Sequence, residues 1–198
     1  MSRIILASGS QIRAQMLRNA GVPFEIVPSD VDEASIKEKC WAAGNDLRDI
    51  AMRLAEAKAL SVSKQNEDAY VIGADQVLGL DGKLHDKPVD MDEARVRLKE
   101  FSGRTHTLYS AACIARGSDV MWQVIDYPTL TMCTLSDETI DRYLAEAGEG
   151  ILSSVGAYQL EGVGARLFHQ VHGNYFSILG LPLLPLLAFL REQKQLGY

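Results

Sequence analysis

The chain has 198 residues, of which 47% are hydrophobic and 23% are charged, and its formal net charge is −6. This composition is typical of a globular protein, and we expect a single domain, 1–198, built as two lobes. A negative chain without a basic run is not expected to bind a nucleic acid polymer. The apolar segment Ile178–Leu190 is too short to span a bilayer, so we expect a cytoplasmic protein without a membrane partner.

The cysteines and histidines form no metal-binding motif in the sequence. The three cysteines make no CxxC pair, which argues against a zinc site or a disulfide framework. The four histidines include one pair three residues apart, His169 and His172, without a third ligand near them. Ordinary structural histidines are therefore the favoured interpretation.

A strand, a turn and a helix follow one another at the start of the chain. The apolar run Ile4–Leu6 predicts a short buried strand, and a helical pattern begins after the turn Ser8–Ser10. Free backbone N–H groups and the positive end of the helix dipole meet at such a turn, which favours an anion such as phosphate. Arg13 would add a guanidinium that can hold two phosphate oxygens. Most strand–turn–helix junctions bind nothing, so this indication is weak when taken alone.

The next elements are a strand over 24–27, an acidic loop over 28–33 and a long helix over 47–63. The apolar residues of that helix share one face, and Lys58 falls inside it. A buried ammonium is unfavourable unless it is paired or reaches a polar cavity, although a lysine can also extend to the surface. The apolar face contains Leu47, Ile50, Ala51 and Leu54.

A buried strand is predicted over 70–74, and it ends at Asp75. The carboxyl ends of strands are where α/β sheets bind their ligands. The residues 77–84 predict a hairpin with an Asp-Gly turn, which returns the chain to Lys87 near Asp75.

The remainder of the chain predicts both helices and strands. In order they are a helix over 92–101, a hairpin of strands over 105–115 and 121–135, a helix from Ser136 to Gly148, a short helix over 165–171 and a last helix that Pro182 opens. Helices alternate with strands early, and strands cluster in the middle. We therefore expect an α/β fold, with a mixed twisted sheet, flanking helices and two lobes around a central cleft.

Cations and carboxylates from separate segments could hold one polyanion. Hydrolysis of a phosphoanhydride needs its charge neutralised, which Mg²⁺ bound by carboxylates can do, and one carboxylate can take the proton of the attacking water. Each candidate also has an ordinary alternative as a loop cap, a surface charge or an ion pair on a helix. The candidates are Ser8, Ser10, Arg13, Lys58 and Lys87 for the phosphates, with Glu33 and Asp75 as the acids.

Eight segments in order resemble the motif series of the Maf family, and they cover nearly the whole chain. They are Leu6–Arg13, Val31–Glu33, Ala55–Ala59, Gly73–Asp75, Asp86–Pro88, Ser102–His106, Gly156–Tyr158 and Gly180–Leu183. The resemblance implies a two-lobed α/β fold related to the inosine-triphosphate pyrophosphatases, usually as a homodimer. It implies a house-cleaning enzyme that cleaves a nucleoside triphosphate between the α and β phosphorus atoms with Mg²⁺ or Mn²⁺. The family is also associated with the control of septum formation.

The same resemblance assigns roles to individual residues. Asp75 corresponds to the catalytic base and Glu33 to an acid near metal and water, so both are expected as metal ligands. The phosphate-contacting positions of the family correspond to Ser8, Ser10, Arg13, Lys58 and Lys87.

Departures from the family pattern bear on the choice of nucleobase. Ile12 replaces an arginine, Gln76 replaces a common threonine, and Glu161 stands near a position where glutamine is common. Gln76 with Glu161 is similar to the subgroup that acts on 7-methyl-GTP, although that subgroup tends to carry an aromatic residue near position 12. A carboxylate suits the N–H donors of guanine, whereas glutamine suits uracil or thymine.

Three alternatives remain open at this point. The first is an enzyme of the same family that acts on dTTP or UTP. The second is a nucleotide-binding regulator of cell division without catalysis, and the third is a phosphatase that releases orthophosphate.

Overall fold

The computed structural model describes residues 2–197. It confirms a mixed α/β fold, and hydrogen-bonded neighbours in the sheet follow the order β2-β1-β3-β5-β7-β8, with β4 paired to β3 and β6 paired to β5. The strands are β1 (Ile4–Leu6), β2 (Glu25–Ile26), β3 (Tyr70–Leu80), β4 (Lys83–His85), β5 (Thr105–Arg116), β6 (Asp119–Asp126), β7 (Thr129–Met132) and β8 (Phe168–His172). The α-helices are α1 (Gln11–Asn19), α2 (Glu33–Ala42), α3 (Leu47–Ser63), α4 (Met91–Phe101), α5 (Asp137–Ala147), α6 (Tyr175–Ile178) and α7 (Leu183–Glu192), and short 3₁₀ helices cover Glu149–Ser153 and Val163–Leu167.

The described residues divide into two compact units. The first contains 2–76, 110–126 and 174–197, and the second contains 77–109 and 127–173. The predicted cleft between two lobes stays a prediction, and so does the expectation of a single domain. Among residues 2–197, none of the helices combines the length and the apolar character that crossing a bilayer requires.

The parallel strands of the first unit are β1, β2 and β3, of which β1 and β3 are buried on both faces, and the unit also contains the antiparallel pairing of β5 with β6. β1 pairs in parallel with β2 and with β3, and Ile5 lies opposite Val71. Because successive side chains of a strand point to opposite faces, Ile4 and Leu6 pack with residues of α1 and α7, while Ile5 packs with Val62 of α3. Helices therefore cover this part of the sheet on either side.

The second unit is antiparallel. β4 returns along β3 through the predicted Asp81-Gly82 turn, with Leu80 opposite Lys83. β7 pairs with the first residues of β5 and also with β8. The helix α5 begins at the cap Ser136 and ends at Gly148, as predicted.

The predicted helix over 47–63 is confirmed with the same bounds, and its apolar face is buried. Two predicted bounds near the acidic candidates are wrong. The acidic loop ends at Asp32, because the side chain of Asp32 caps a helix, α2, that begins at Glu33. The strand β3 does not end at Asp75 but continues to Leu80, because the apolar residues after Gln76 extend it. Asp75 thus lies inside a long strand.

Two further predictions are corrected. The predicted strand over 121–135 is two strands, β6 and β7, interrupted at Pro128, which has no N–H for a ladder. The predicted short helix over 165–171 is a 3₁₀ turn followed by the strand β8, which pairs with β7. The small helix α6 was not predicted from the sequence pattern.

Candidate active site

Lys58 joins the two acidic candidates in the first unit. Its Nζ lies 2.7 Å from Oε1 of Glu33 and 2.6 Å from Oδ1 of Asp75. The side chains of Lys58 and Asp75 are each 9% exposed, whereas that of Glu33 is 46% exposed. A buried ammonium needs such partners, so these carboxylates explain how α3 carries a lysine on its apolar face.

A close approach of α3 to β3 places Lys58 beside Asp75. A Cβ built at Gly73 would lie 2.2 Å from the carbonyl oxygen of Ala55 and 2.6 Å from the backbone nitrogen of Ala59. Only glycine permits this contact between the helix and the strand. Gly73 and Asp75 are two residues apart, so both face the helix that carries Lys58.

Arg13 is held by three acceptors at the start of α1. Its Nη1 donates to Oγ of Ser8 at 3.2 Å and to the carbonyl oxygen of Ala74 at 2.9 Å. Its Nε donates to the carbonyl oxygen of Gly180 at 2.8 Å. The guanidinium is therefore fixed next to the backbone that precedes Asp75.

Opposing effects act on the ionisation of Arg13. Burial lowers its pKa, and the nearby charges of Asp75 and Glu33 act in the other direction. An arginine remains protonated under such a shift because its ordinary pKa lies far above neutral pH. Three sequence candidates, one cation and two acids, are thus within electrostatic range of one another.

The turn between β1 and α1 has the predicted geometry. The backbone N–H of Arg13 donates to Oγ of Ser10 at 3.5 Å, and the N–H of Ser10 donates to Oγ of Ser8 at 3.3 Å. Ser8 is buried and Ser10 is half-buried. A helix start with hydroxyls and a guanidinium is suited to an anion, and phosphate binding here stays a prediction.

The amide nitrogen of Gln76 donates its hydrogen bonds to other groups of the protein. Its Nε2 donates to Oγ of Ser110 and to the carbonyl oxygens of Ser177 and Ile178, at 2.7, 3.0 and 3.1 Å. Ile12 is half-buried in the first turn of α1. The role of Gln76 and Ile12 in base specificity stays a prediction.

Two other candidates lie in the second unit, and both are exposed. Lys87 follows β4 in a loop, and Glu161 lies in a turn before the second 3₁₀ helix. The phosphate contact predicted for Lys87 and the base contact predicted for Glu161 stay predictions.

Arg97 is a buried residue of the second unit that sequence reasoning missed. Its Nη1 donates to the carbonyl oxygen of Asp86 at 2.6 Å and to that of Val155 at 2.8 Å. It therefore ties the loop that carries Lys87 to the turn before Tyr158. Its position on the buried face of α4 is the same signal that singled out Lys58.

The carboxylates suit a divalent cation that shares its ligands with a phosphate. Glu33 and Asp75 offer the hard oxygen ligands that Mg²⁺ and Mn²⁺ prefer. Within residues 2–197, no group of three or more His, Cys, Asp or Glu side chains could hold a metal ion by itself. Mg²⁺ commonly takes one or two carboxylates and completes its shell with water and phosphate oxygens, so the pair fits that manner of binding.

Comparison with known proteins covers almost the full chain. The model of the Maf-like protein family matches residues 3–193. A 7-methyl-GTP pyrophosphatase of Brucella suis biovar 1 is 46% identical over 192 residues, which cover 97% of this chain and 96% of that protein. A nucleoside triphosphate pyrophosphatase of Maricaulis maris is 49% identical over 192 residues, 97% of each chain. A 7-methyl-GTP pyrophosphatase of Mesorhizobium japonicum is 49% identical over 189 residues, 96% of this chain and 95% of that protein. With this extent of similarity, the chain belongs to the Maf family.

Proposed function

We propose that the protein is a nucleoside triphosphate pyrophosphatase that cleaves its substrate between the α and β phosphorus atoms, giving a nucleoside monophosphate and pyrophosphate. The observation that carries the proposal is the pairing of Lys58 with both Glu33 and Asp75, beside the arginine of a helix-start turn. The activities named for the Brucella, Maricaulis and Mesorhizobium relatives support it.

The turn between β1 and α1 would bind the phosphate tail. The hydroxyls of Ser8 and Ser10, the first N–H groups of α1 and the guanidinium of Arg13 all offer donors to phosphate oxygens. Lys58 and Lys87 would add positive charge. Binding at this turn orients the phosphoanhydride relative to the carboxylate of Asp75.

Asp75 would act as the general base. Lys58 holds its Oδ1, and the second carboxylate oxygen can accept a proton from the attacking water. A Mg²⁺ or Mn²⁺ ion held by Glu33 and Asp75 would, when bound, neutralise charge on the phosphates. Glu33, whose side chain is 46% exposed, would orient the water beside Asp75.

Among nucleotides we favour 7-methyl-GTP, which the names of the Brucella and Mesorhizobium relatives support. Glu161 would accept N–H donors of the guanine base and would suit the positive charge of a methylated base. Gln76 would contribute through Oε1, since its Nε2 is occupied by the protein, and Ile12 would contact the base through apolar surface. Removing a modified nucleotide from the cytoplasmic pool is a house-cleaning role, and we propose that the enzyme works as a homodimer.

A panel of triphosphates tests the proposal. The purified protein is incubated with 7-methyl-GTP, GTP, dTTP and UTP in the presence of Mg²⁺ or Mn²⁺, and pyrophosphate, orthophosphate and the nucleoside monophosphate are measured. We expect pyrophosphate and monophosphate in equal amounts, with 7-methyl-GTP cleaved at the highest kcat/KM. Binding without turnover of any nucleotide would favour the regulator, orthophosphate release would favour a phosphatase, and preference for dTTP or UTP would overturn the choice of base.

A further inference from the structure

We infer that Gln76 is a positioning residue that orients Arg13 through the backbone of residues 177–180. The inference rests on the proposed function, in which Arg13 holds the phosphate tail of the substrate. It assigns to Gln76 an effect on every substrate, whichever base the nucleotide carries.

The amide of Gln76 has a defined orientation. Its nitrogen Nε2 lies 2.7 Å from Oγ of Ser110, 3.0 Å from the carbonyl oxygen of Ser177 and 3.1 Å from that of Ile178. Two carbonyl oxygens can only accept hydrogen bonds, so the nitrogen of the amide, and not its oxygen, must face them. Three acceptors share its two hydrogens, which leaves the nitrogen with no donor capacity for a ligand.

Ser110 completes the same network. Its Oγ donates to the carbonyl oxygen of Ser177 at 2.6 Å and therefore uses a lone pair to accept from Gln76. Ser110 is fully buried, and the residue Ser177 is 1% exposed. Buried carbonyl oxygens that lose their donors are unfavourable, so these hydrogen bonds fix the backbone at the end of α6.

That backbone leads directly to Arg13. The N–H of Gly180 donates to the carbonyl oxygen of Ser177 at 3.0 Å, which closes the turn after α6. Gly180 has a φ of +96°, a conformation that favours glycine, and its carbonyl oxygen accepts from Nε of Arg13 at 2.8 Å. Through this turn, the position of the Ser177 carbonyl sets that of the Gly180 carbonyl, and hence the direction of the guanidinium.

A Gln76→Met variant separates positioning from base reading, because methionine keeps the length of the side chain and removes both amide groups. Without the amide, the carbonyl of Ile178 loses this donor, while that of Ser177 keeps the Oγ of Ser110 and the N–H of Gly180. The turn then shifts, and with it the Gly180 carbonyl, one of the three acceptors of Arg13. A small displacement of an aligned binding group is expected to reduce affinity for the phosphate tail by roughly tenfold. The loss should appear for inorganic tripolyphosphate, which has no base, and for every nucleotide, with a further loss for 7-methyl-GTP because Oε1 of Gln76 is proposed to contact its base.

The experiment is a double-mutant cycle with Gln76→Met and Arg13→Lys. The Kd of tripolyphosphate is measured by calorimetry, and KM is measured for 7-methyl-GTP, dTTP and UTP. We expect Gln76→Met to raise the Kd of tripolyphosphate and the KM for dTTP and UTP by a common factor, and to leave the Kd of tripolyphosphate unchanged when Arg13 is already lysine. Gln123→Met is the matched control, since Gln123 is an exposed glutamine of the same unit that donates to Glu56.

Additive losses in the cycle, or an unchanged Kd for tripolyphosphate, would overturn the positioning role. A loss confined to one nucleobase would do the same and would leave only base reading. If Gln76→Met does not fold, the cycle is run with Ser110→Ala, which removes the hydroxyl between Gln76 and Ser177. A wild-type protein that binds tripolyphosphate but cleaves no nucleotide contradicts the proposed function while the cycle still decides the role of Gln76. A wild-type protein that cleaves nucleotides but does not bind tripolyphosphate overturns the positioning role alone.

Discussion

At the scale of single residues, the pair of acids that share Lys58 is unequal. Asp75 lies on a central strand with a side chain that is 9% exposed, whereas Glu33 lies at the first position of α2 and is 46% exposed. Asp75 is held in place by its position on β3 and by Lys58 of α3. A reaction that needs one rigid base and one adaptable acid would use them in these separate roles.

The first prediction concerns Asp75→Asn. The asparagine keeps the shape of the side chain but cannot accept the proton of the attacking water, so kcat should fall by about 10²- to 10⁴-fold. Nucleotide affinity, measured by calorimetry in the presence of Mg²⁺, should change only a few-fold. Asp68→Asn, at an exposed turn of the same unit, should leave both quantities unchanged. An Asp75→Asn variant with wild-type kcat would place the base at another residue.

The second prediction concerns Glu161→Gln. An amide presents a donor as well as an acceptor, so the variant should favour pyrimidine triphosphates relative to 7-methyl-GTP. The measurement is the ratio of kcat/KM for 7-methyl-GTP to that for UTP, which should fall by about tenfold, in line with the loss of one well-placed charged hydrogen bond. Glu149→Gln, an exposed glutamate of the same unit, is the control. An unchanged ratio would remove Glu161 from base recognition.

Sequence reasoning at this scale identified residue types better than contacts. The buried position of Lys58 follows from helical periodicity, but its partner Asp75 is on another element, 17 residues away. No periodicity encodes which strand residue faces a helix residue, so the sequence placed Lys58 and Asp75 in one candidate site without predicting their ion pair. The acceptors of Arg13 include the backbone carbonyls of Ala74 and Gly180, which carry no sequence signal at all.

At the scale of elements, the contact between α3 and β3 depends on the absence of a side chain at Gly73. The backbone of Ala55 and Ala59 occupies the space that a Cβ would take. The helix can therefore lie near enough to the strand for Lys58 to reach Asp75.

The third prediction is that Gly73→Ala destabilises the protein and weakens catalysis together. The added methyl would lie 2.2 Å from the carbonyl oxygen of Ala55, so the helix must move away from the strand. We expect the free energy of unfolding to fall by about 3 kcal/mol, at the upper end of the usual cost of overpacking. Denaturant unfolding and kcat/KM measure the two effects. Gly150→Ala, where a Cβ meets nothing within 4 Å, is the matched control and should change neither.

Elements with strong periodicity were predicted well, and those without it were not. The helix α3 has a continuous apolar face that ends in Val62, and its bounds agree with the prediction. The helix α2 buries only Cys40 and has no continuous apolar face, so its sequence signal is limited to the cap residue Asp32. The strand β8 is mostly exposed, and its pairing with β7 is a tertiary contact that its own residues do not reveal.

At the scale of the whole molecule, the second unit contains a buried cluster of histidines and aromatic rings. Nε2 of His106 lies 2.6 Å from the hydroxyl of Tyr158, and the ring of His106 stacks on Phe101 at a centroid distance of 4.9 Å. His85 packs edge-on against the ring of Phe101. Within residues 2–197, Nδ1 of His106 and Nε2 of His85 lack a hydrogen-bond partner.

Burial lowers the pKa of both histidines. Burial, with a smaller effect of His85, lowers the pKa of His106 from 6.5 to about 4. Burial also lowers the pKa of His85, assisted by the charges of Arg97, Lys83 and Arg104 and opposed by that of Glu100. Between about pH 6.5 and pH 4 the unfolded chain therefore takes up a proton at His106 that the folded chain does not, and the free energy of unfolding falls as the pH falls.

The fourth prediction follows from this loss of stability at lower pH. Between about pH 7 and pH 5, the term from His106 should lower the free energy of unfolding by about 2 kcal/mol. Denaturant unfolding at both pH values measures it, with the difference expected to shrink in His106→Phe. The exposed residue His169, changed to phenylalanine, is the control and should retain the wild-type difference. If the free energy of unfolding differs by the same amount between pH 7 and pH 5 in His106→Phe and in the wild type, His106 does not cause the loss of stability at acid pH.

The division of the described residues into two units has a consequence for how the chain can be dissected. The first unit takes its residues from three separated stretches and the second from two, and the strands β3 and β5 each contribute to both. Neither unit can be excised as one continuous fragment, because any cut that frees one interrupts the other. Expressing the first unit, which carries Lys58 and Asp75, on its own would require its three stretches to be joined by new linkers.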